Sequence, residues 1–164
     1  MATTVTFTEY NGSGATATAN RTEMNLKAID DSTTNYLISP VLAGQNSYTK
    51  YQAPVHSGTY TSLSNGRFYI SGNTPGTGQT ITGSVVTSYT TPTTSTSGDS
   101  AMNTGLGIST NYTNGTNPFA TGTATYSTGG TVYANALRLQ LQTATSAPPG
   151  PNTSQTITYA WTEN

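Results

Sequence analysis

The chain contains no cysteine, a single histidine and a single tryptophan, and it spreads only five basic and six acidic side chains over 164 residues. Each scarcity excludes something. Without cysteine there is no disulfide, no thiolate nucleophile and no cysteine metal ligand. Five scattered Lys and Arg make no basic patch for a phosphate backbone, so no nucleic acid is expected as a partner. No apolar run approaches the roughly 20 residues that a membrane-spanning helix needs, so no membrane partner is expected either. The opening MATTVTFTEYNGSG lacks the basic start and apolar core of a signal peptide, which points to a chain made and left in a cytoplasm.

Scarce charge also bears on association. A formal net charge of -1 gives copies of the chain little with which to repel one another. A surface of Thr, Ser, Asn and Tyr is polar without being repulsive, which suits a subunit packed against neighbours. Low apolar content, here 32%, would by itself suggest disorder, but disorder also calls for high net charge.

What is present favours strands. Thr is a strand former, Gly and Asn are turn formers, and strong helix formers are few. The clearest pattern is at the C-terminal end. Leu137, Leu139 and Leu141 alternate with Arg138, Gln140 and Gln142, which predicts one apolar face and one wet face. A turn-rich joint from Ser146 to Asn152 leads to a second alternation at Ile157, Tyr159 and Trp161. Val5 and Phe7 mark a first strand, and Met24, Leu26 and Ala28 a short one. Pro40, between Ile38 and Val41, argues for an edge or a bend.

Asn65-Gly66 lies between Thr59–Leu63 and Arg67–Ile70 and predicts a hairpin, because that pair suits a tight two-residue turn. Thr90–Ser100 is too polar for a core and reads as an exposed loop or arm. With 11 Tyr and 3 Phe, the core must lean on aromatics. The expected fold is all-β: one domain over residues 1–164, a jelly-roll-like β-sandwich with long Thr/Ser/Gly-rich loops. An extended N-terminal segment and an exposed loop at about 90–100 belong to that expectation.

A search for chemistry finds little. His56 lacks a recognisable nucleophile and orienting acid, so an ordinary hydrogen-bonded histidine is the default reading. The acids Glu9, Glu23, Asp30, Asp31, Asp99 and Glu163 form no motif of the kind that pairs carboxylates for glycoside hydrolysis. Asp30-Asp31-Ser32 supplies oxygens that suit Ca²⁺ but lacks the spacing of a calcium loop, and reads as a turn. Gly76-Thr77-Gly78 and Gly105-Leu106-Gly107 open no helix and read as turns. The Asn-x-Ser/Thr triplets at Asn11, Asn20, Asn111, Asn114 and Asn152 are expected in a Thr-rich chain without a secretory signal. Only the tyrosines suggest binding, as sugar platforms or interface anchors, against the plainer reading of core rings. No catalytic, cofactor or metal residue is therefore expected, and no binding residue is named.

Several phrases read together resemble a group of small structural proteins of tailed bacteriophages. They are Thr6-Phe7-Thr8-Glu9-Tyr10-Asn11-Gly12, the run Ile38–Tyr51, Ser57-Gly58, Arg67-Phe68-Tyr69, Leu139–Gln142, Pro149-Gly150 and Thr158–Glu163. Together they cover most of the chain. The resemblance implies a non-enzymatic virion protein without cofactors, made in the host cytoplasm and located on the capsid surface. Capsid decoration (cement) is the role it implies first, with the major capsid protein as partner and a homo-oligomer, a trimer, as the assembly. Two further readings stay open: a tail-fibre or receptor-binding component whose tyrosines hold a glycan, and a filament subunit assembled by strand donation.

Overall fold

A computed structural model of the chain describes residues 3–72, 75–102, 108–109, 111–113, 118–119, 123, 125–149 and 154–164. Alternating Thr and apolar residues extend the first strand, β1 (Thr3–Asn11), and β2 (Thr16–Thr18) folds back on it. A long irregular segment follows. Then come β3 (Lys50–Gly58), β4 (Leu63–Gly72), β5 (Gln79–Val86), β6 (Ser100–Ala101), β7 (Ile108–Ser109) and β8 (Tyr112–Thr113). β9 (Thr125–Tyr126), β10 (Val132–Ala134), β11 (Ala136–Thr143) and β12 (Gln155–Glu163) complete the order.

The fold is all-β: two antiparallel sheets, with no helix among the described residues. The larger sheet runs β2-β1-β3-β11-β5-β6, with β10 between β3 and β8; the smaller runs β12-β4-β7, with β9 also on β4. β10 and β11 are one strand interrupted by a bulge, since Tyr133 faces Val55 but Leu137 faces Gln52, one residue out of step. Asn135 is the displaced residue, and it exchanges hydrogen bonds with Asn111. Pro54, which has no N–H to donate, sits in β3 opposite that interruption.

The main core lies between the sheets. Ile81, Val132, Leu137, Leu139 and Leu141 of the larger sheet meet Leu63, Phe68 and Tyr159 of the smaller. Full burial of each such side chain contributes about 1.5–3 kcal/mol. Phe7 meets Tyr159 edge-on, with centroids 6.3 Å apart, so β1 and β12 lie against each other. The opposite face of the larger sheet carries a second cluster, Tyr10, Tyr51, Ala53, Phe119 and Ala136, with Tyr89 beside it.

Three expectations need correction. The Asn65-Gly66 pair is not a hairpin turn: β3 and β4 belong to different sheets, and Asn65 and Gly66 lie inside β4, facing Trp161 alone as a bulge. Asn65 has a φ of +54°, so the same left-handed tolerance that suits a tight turn serves a bulge instead. Met24–Ala28 is irregular, although Met24 and Leu26 do pack on the main core.

The polar side of β11 is not wet. Gln140 is wholly buried, its amide donating to the Ser47 and Ser95 carbonyls and accepting from the Ser97 N–H. Thr90–Ser100 is an exposed loop, as expected, without strand before Ser100. It lies as a strap on that face: Thr49 N–H donates to Thr93 O, Asn46 Nδ2 to Thr94 O, and Arg138 pairs with Asp99 at 2.5 Å. The glycine-rich run at residues 105–107 and residues 150–152 of the C-terminal joint lie outside the described residues.

Candidate functional site

Beyond β2 the chain runs without strands to Lys50, and this segment holds five of the eleven charged side chains in the molecule. Lys50 sits one position beyond the paired Tyr10 and Tyr51, so its side chain meets those of Asn11 and Glu9 on one face of the sheet. Its ammonium donates to Asn11 Oδ1 and to the Asp31 carbonyl, both at 2.8 Å. Glu9 Oε1 lies 3.6 Å away and Asp30 Oδ1 3.5 Å away. Both are within reach of Coulomb attraction. Lys50 is 0% exposed and Glu9 2%. Burial pushes the Lys50 ammonium down from its ordinary range, against the upward pull of Glu9 and Asp30. Arg21 closes the group on the far side of Glu9, at 3.4 Å.

A second lysine fixes the loop itself. Lys27, also buried, donates to Asp31 Oδ1 at 2.6 Å and to the Thr34 carbonyl at 2.5 Å. Asp31 in turn accepts from the Thr33 and Thr34 amides and the Thr34 hydroxyl, as an Asp-led turn does. Partial burial alone would raise the Asp31 carboxyl, but the bonds from Lys27 and Thr34 hold it well below the usual carboxylate range. The Ala28 amide donates to Ser39 O, which closes the loop base.

At the tip the chemistry reverses. Asn35 caps a turn, its side chain accepting from Leu37 N–H and its carbonyl from Ile38 N–H. Tyr36, Leu37 and Ile38 then project outward, Leu37 at 69% and Ile38 at 78% exposure, with Leu42 and Ile29 nearby in sequence and also exposed. Every exposed large apolar side chain among the described residues belongs to this one segment. Single exposed apolar residues are ordinary; five within residues 29–42 are not.

The residues considered from sequence fall elsewhere. His56 is buried in the main core, Nε2 3.0 Å from the Tyr159 hydroxyl and ringed edge-on by Tyr112, Tyr159 and Trp161. Burial pushes its imidazole down to about 4, with Glu163 pulling weakly upward. It is a core histidine. Asp30 and Asp31 are engaged by Gly12 N–H and Lys27, which is the turn reading rather than a calcium loop. Asp99 serves Arg138 and Ser84, and Glu23 is exposed. Glu9 and Asp30 share Lys50. Of the tyrosines, Tyr10, Tyr51, Tyr60, Tyr112 and Tyr159 are buried and only Tyr36 is exposed. The triplet asparagine Asn11 is buried, while Asn114 and Asn152 lie outside the described residues.

One open groove of about 420 Å³ runs past Asn46, Gln79, Thr80, Gln142 and Thr143, all neutral amides and hydroxyls. Sequence reasoning named neither the loop tip nor the two buried lysines. The partners of Lys50 stand 19, 20, 39 and 41 positions away, too far for any local pattern to reveal. The signal within reach was Leu37-Ile38, an apolar pair set among Asp, Ser, Thr and Asn. Comparisons with protein-family models, with curated proteins and with solved structures found no match to the chain.

Proposed function

We propose that the chain is a non-enzymatic structural subunit of a virion that docks on a neighbouring protein through Tyr36, Leu37, Ile38 and Leu42. The observation that carries this reading is an apolar tip held out on a loop whose Lys27, Asp30 and Asp31 turn inward to one another and to Lys50. Such a loop is preorganised, so little ordering entropy opposes binding. The tip is uncharged, and its occupant is an apolar, uncharged pocket on a protein surface. In its most specific form the partner is the major capsid protein, and the subunit is a decoration protein that clamps capsid subunits from outside, as a trimer. Binding only the assembled shell, it stabilises that shell by mass action. In fold we read the two sheets as a jelly-roll-like β-sandwich, because the chain crosses between sheets at β3 to β4, β4 to β5 and β11 to β12.

The test is to mix purified protein with undecorated shells and to measure coating and the shell disruption temperature. Wild-type protein coats and stabilises; Leu37→Ser combined with Ile38→Ser does neither. Equal coating by both proteins would remove the tip from the interface. The neutral groove beside Gln79 and Gln142 favours a second reading, a tail component that holds a glycan. Saturable binding of a neutral oligosaccharide, lost in Gln142→Ala, supports that alternative.

A further inference from the structure

The Lys50 cluster has a chemistry that docking does not use. We propose that Lys50 and Asn11 join covalently, the lysine amine displacing ammonia from the asparagine side chain to form an isopeptide bond between β1 and β3. The reacting groups are already in contact, Lys50 Nζ lying 2.8 Å from Asn11 Oδ1. The Asn11 Nδ2 that would leave is buried and has no hydrogen-bond partner among the described residues, so nothing holds it in place. Glu9 stands two residues before Asn11 on the same face of β1, with Oε1 3.6 Å from Nζ. Lys50, Glu9 and Asn11 are 0%, 2% and 6% exposed, so water is kept from the site. Burial, which favours the neutral amine over the ammonium, adds to this geometry.

The step balances as follows. Glu9 takes one proton from the Lys50 ammonium, and the freed lone pair adds to Asn11 Cγ. The new C–N bond forms, Glu9 relays a proton from the attacking nitrogen to the departing one, and the Cγ–Nδ2 bond breaks. Ammonia leaves as ammonium, carrying off the charge that Lys50 brought, and Glu9 returns to its carboxylate. No oxidant or cofactor is needed. This is one reaction of the chain with itself, not turnover of a substrate. Its product ties the base of the 12–49 segment, and hence the apolar tip, into a covalent ring.

The full-length protein tests this by intact mass and a tryptic map. The expected mass is that of the sequence less one ammonia, about 17 Da. Trypsin then spares Lys50 and releases residues 1–21 joined to residues 28–67. Asn11→Ala and Lys50→Met return to the masses of their sequences, and Glu9→Gln closes at least tenfold more slowly. Asn11 precedes Gly12, so a succinimide would also shed ammonia; the joined peptides separate the two. A folded wild-type protein of unshifted mass overturns the proposal, as does ammonia loss without joined peptides. The wild-type map decides the matter even where a variant fails to fold.

Discussion

Two irregular stretches flank the larger sheet, and they are built on opposite plans. Residues 27–39 carry apolar groups outward on a base of buried charge. Residues 90–99 carry almost nothing but Thr and Ser, yet they lie flat on the sheet and cover Gln140. Each is anchored by ions, Lys27 with Asp31 in the first and Arg138 with Asp99 in the second. Composition alone would put the apolar piece inside; the polar piece stays mostly exposed, but seated against the sheet rather than free of it. What decides is the partner each finds. The face of β11 presents amides and a guanidinium, which a hydroxyl-rich strap can satisfy. Leu37 and Ile38 stay exposed instead, outside the cluster that fills the space between the sheets.

The comparison can be broken most severely at Lys50. Lys50→Met leaves Glu9 and Asp30 without the group they share; measured against the unjoined chain, removing one partner of a buried ion group costs about 3–5 kcal/mol. Urea unfolding should show the unfolding free energy fall by that amount, seen as a lower midpoint; an unchanged midpoint would mean that the loop is not held from below. Mild acid, above the range in which Asp31 and Asp99 take up protons, gives a reference that touches neither stretch. The His56 imidazole lies at about 4 in the folded chain against 6.5 in the unfolded one. The unfolded state therefore binds the extra proton between those values, and stability falls as pH drops from 6.5 to 4. The loss is about 3 kcal/mol, and His56→Phe should flatten the curve.

Gln140→Ala sharpens the contrast from the side of the strap. It orphans the Ser97 amide and the Ser47 and Ser95 carbonyls, at about 1–3 kcal/mol, and should expose residues 90–98 to proteolysis. A variant with no new cleavage would show that the strap is held without it. The smallest effect belongs to the tip: Leu37→Ser with Ile38→Ser should change stability by no more than about 0.5 kcal/mol. A larger fall on calorimetry would show the tip to be part of the core.

How much of this was legible follows from range. Alternation at Leu137, Leu139 and Leu141, or at Val5 and Phe7, is a local property, and it placed strands and their core-facing side. Asn65-Gly66 announced a left-handed backbone position correctly, but a dipeptide cannot say whether a turn or a bulge uses it. Gln140 has the same residues around it whether its face meets water or a strap 45 positions distant. The buried lysines failed for the same reason, since the expectation that Lys is exposed yields only to partners brought from Glu9, Asn11 and Asp30.

The inward pairing of charge has a kinetic consequence. Eight of the eleven ionised side chains take part in ion pairs within the chain, leaving Glu23, Arg67 and Glu163 outside them among the described residues. The molecule projects almost no field, so nothing steers it toward a partner and nothing holds it back. Its encounters should proceed near the unsteered rate of about 10⁵–10⁶ M⁻¹s⁻¹. That rate should stay level from dilute buffer to high salt. A surface built this way assembles at the same pace in fresh water, cytoplasm or brine.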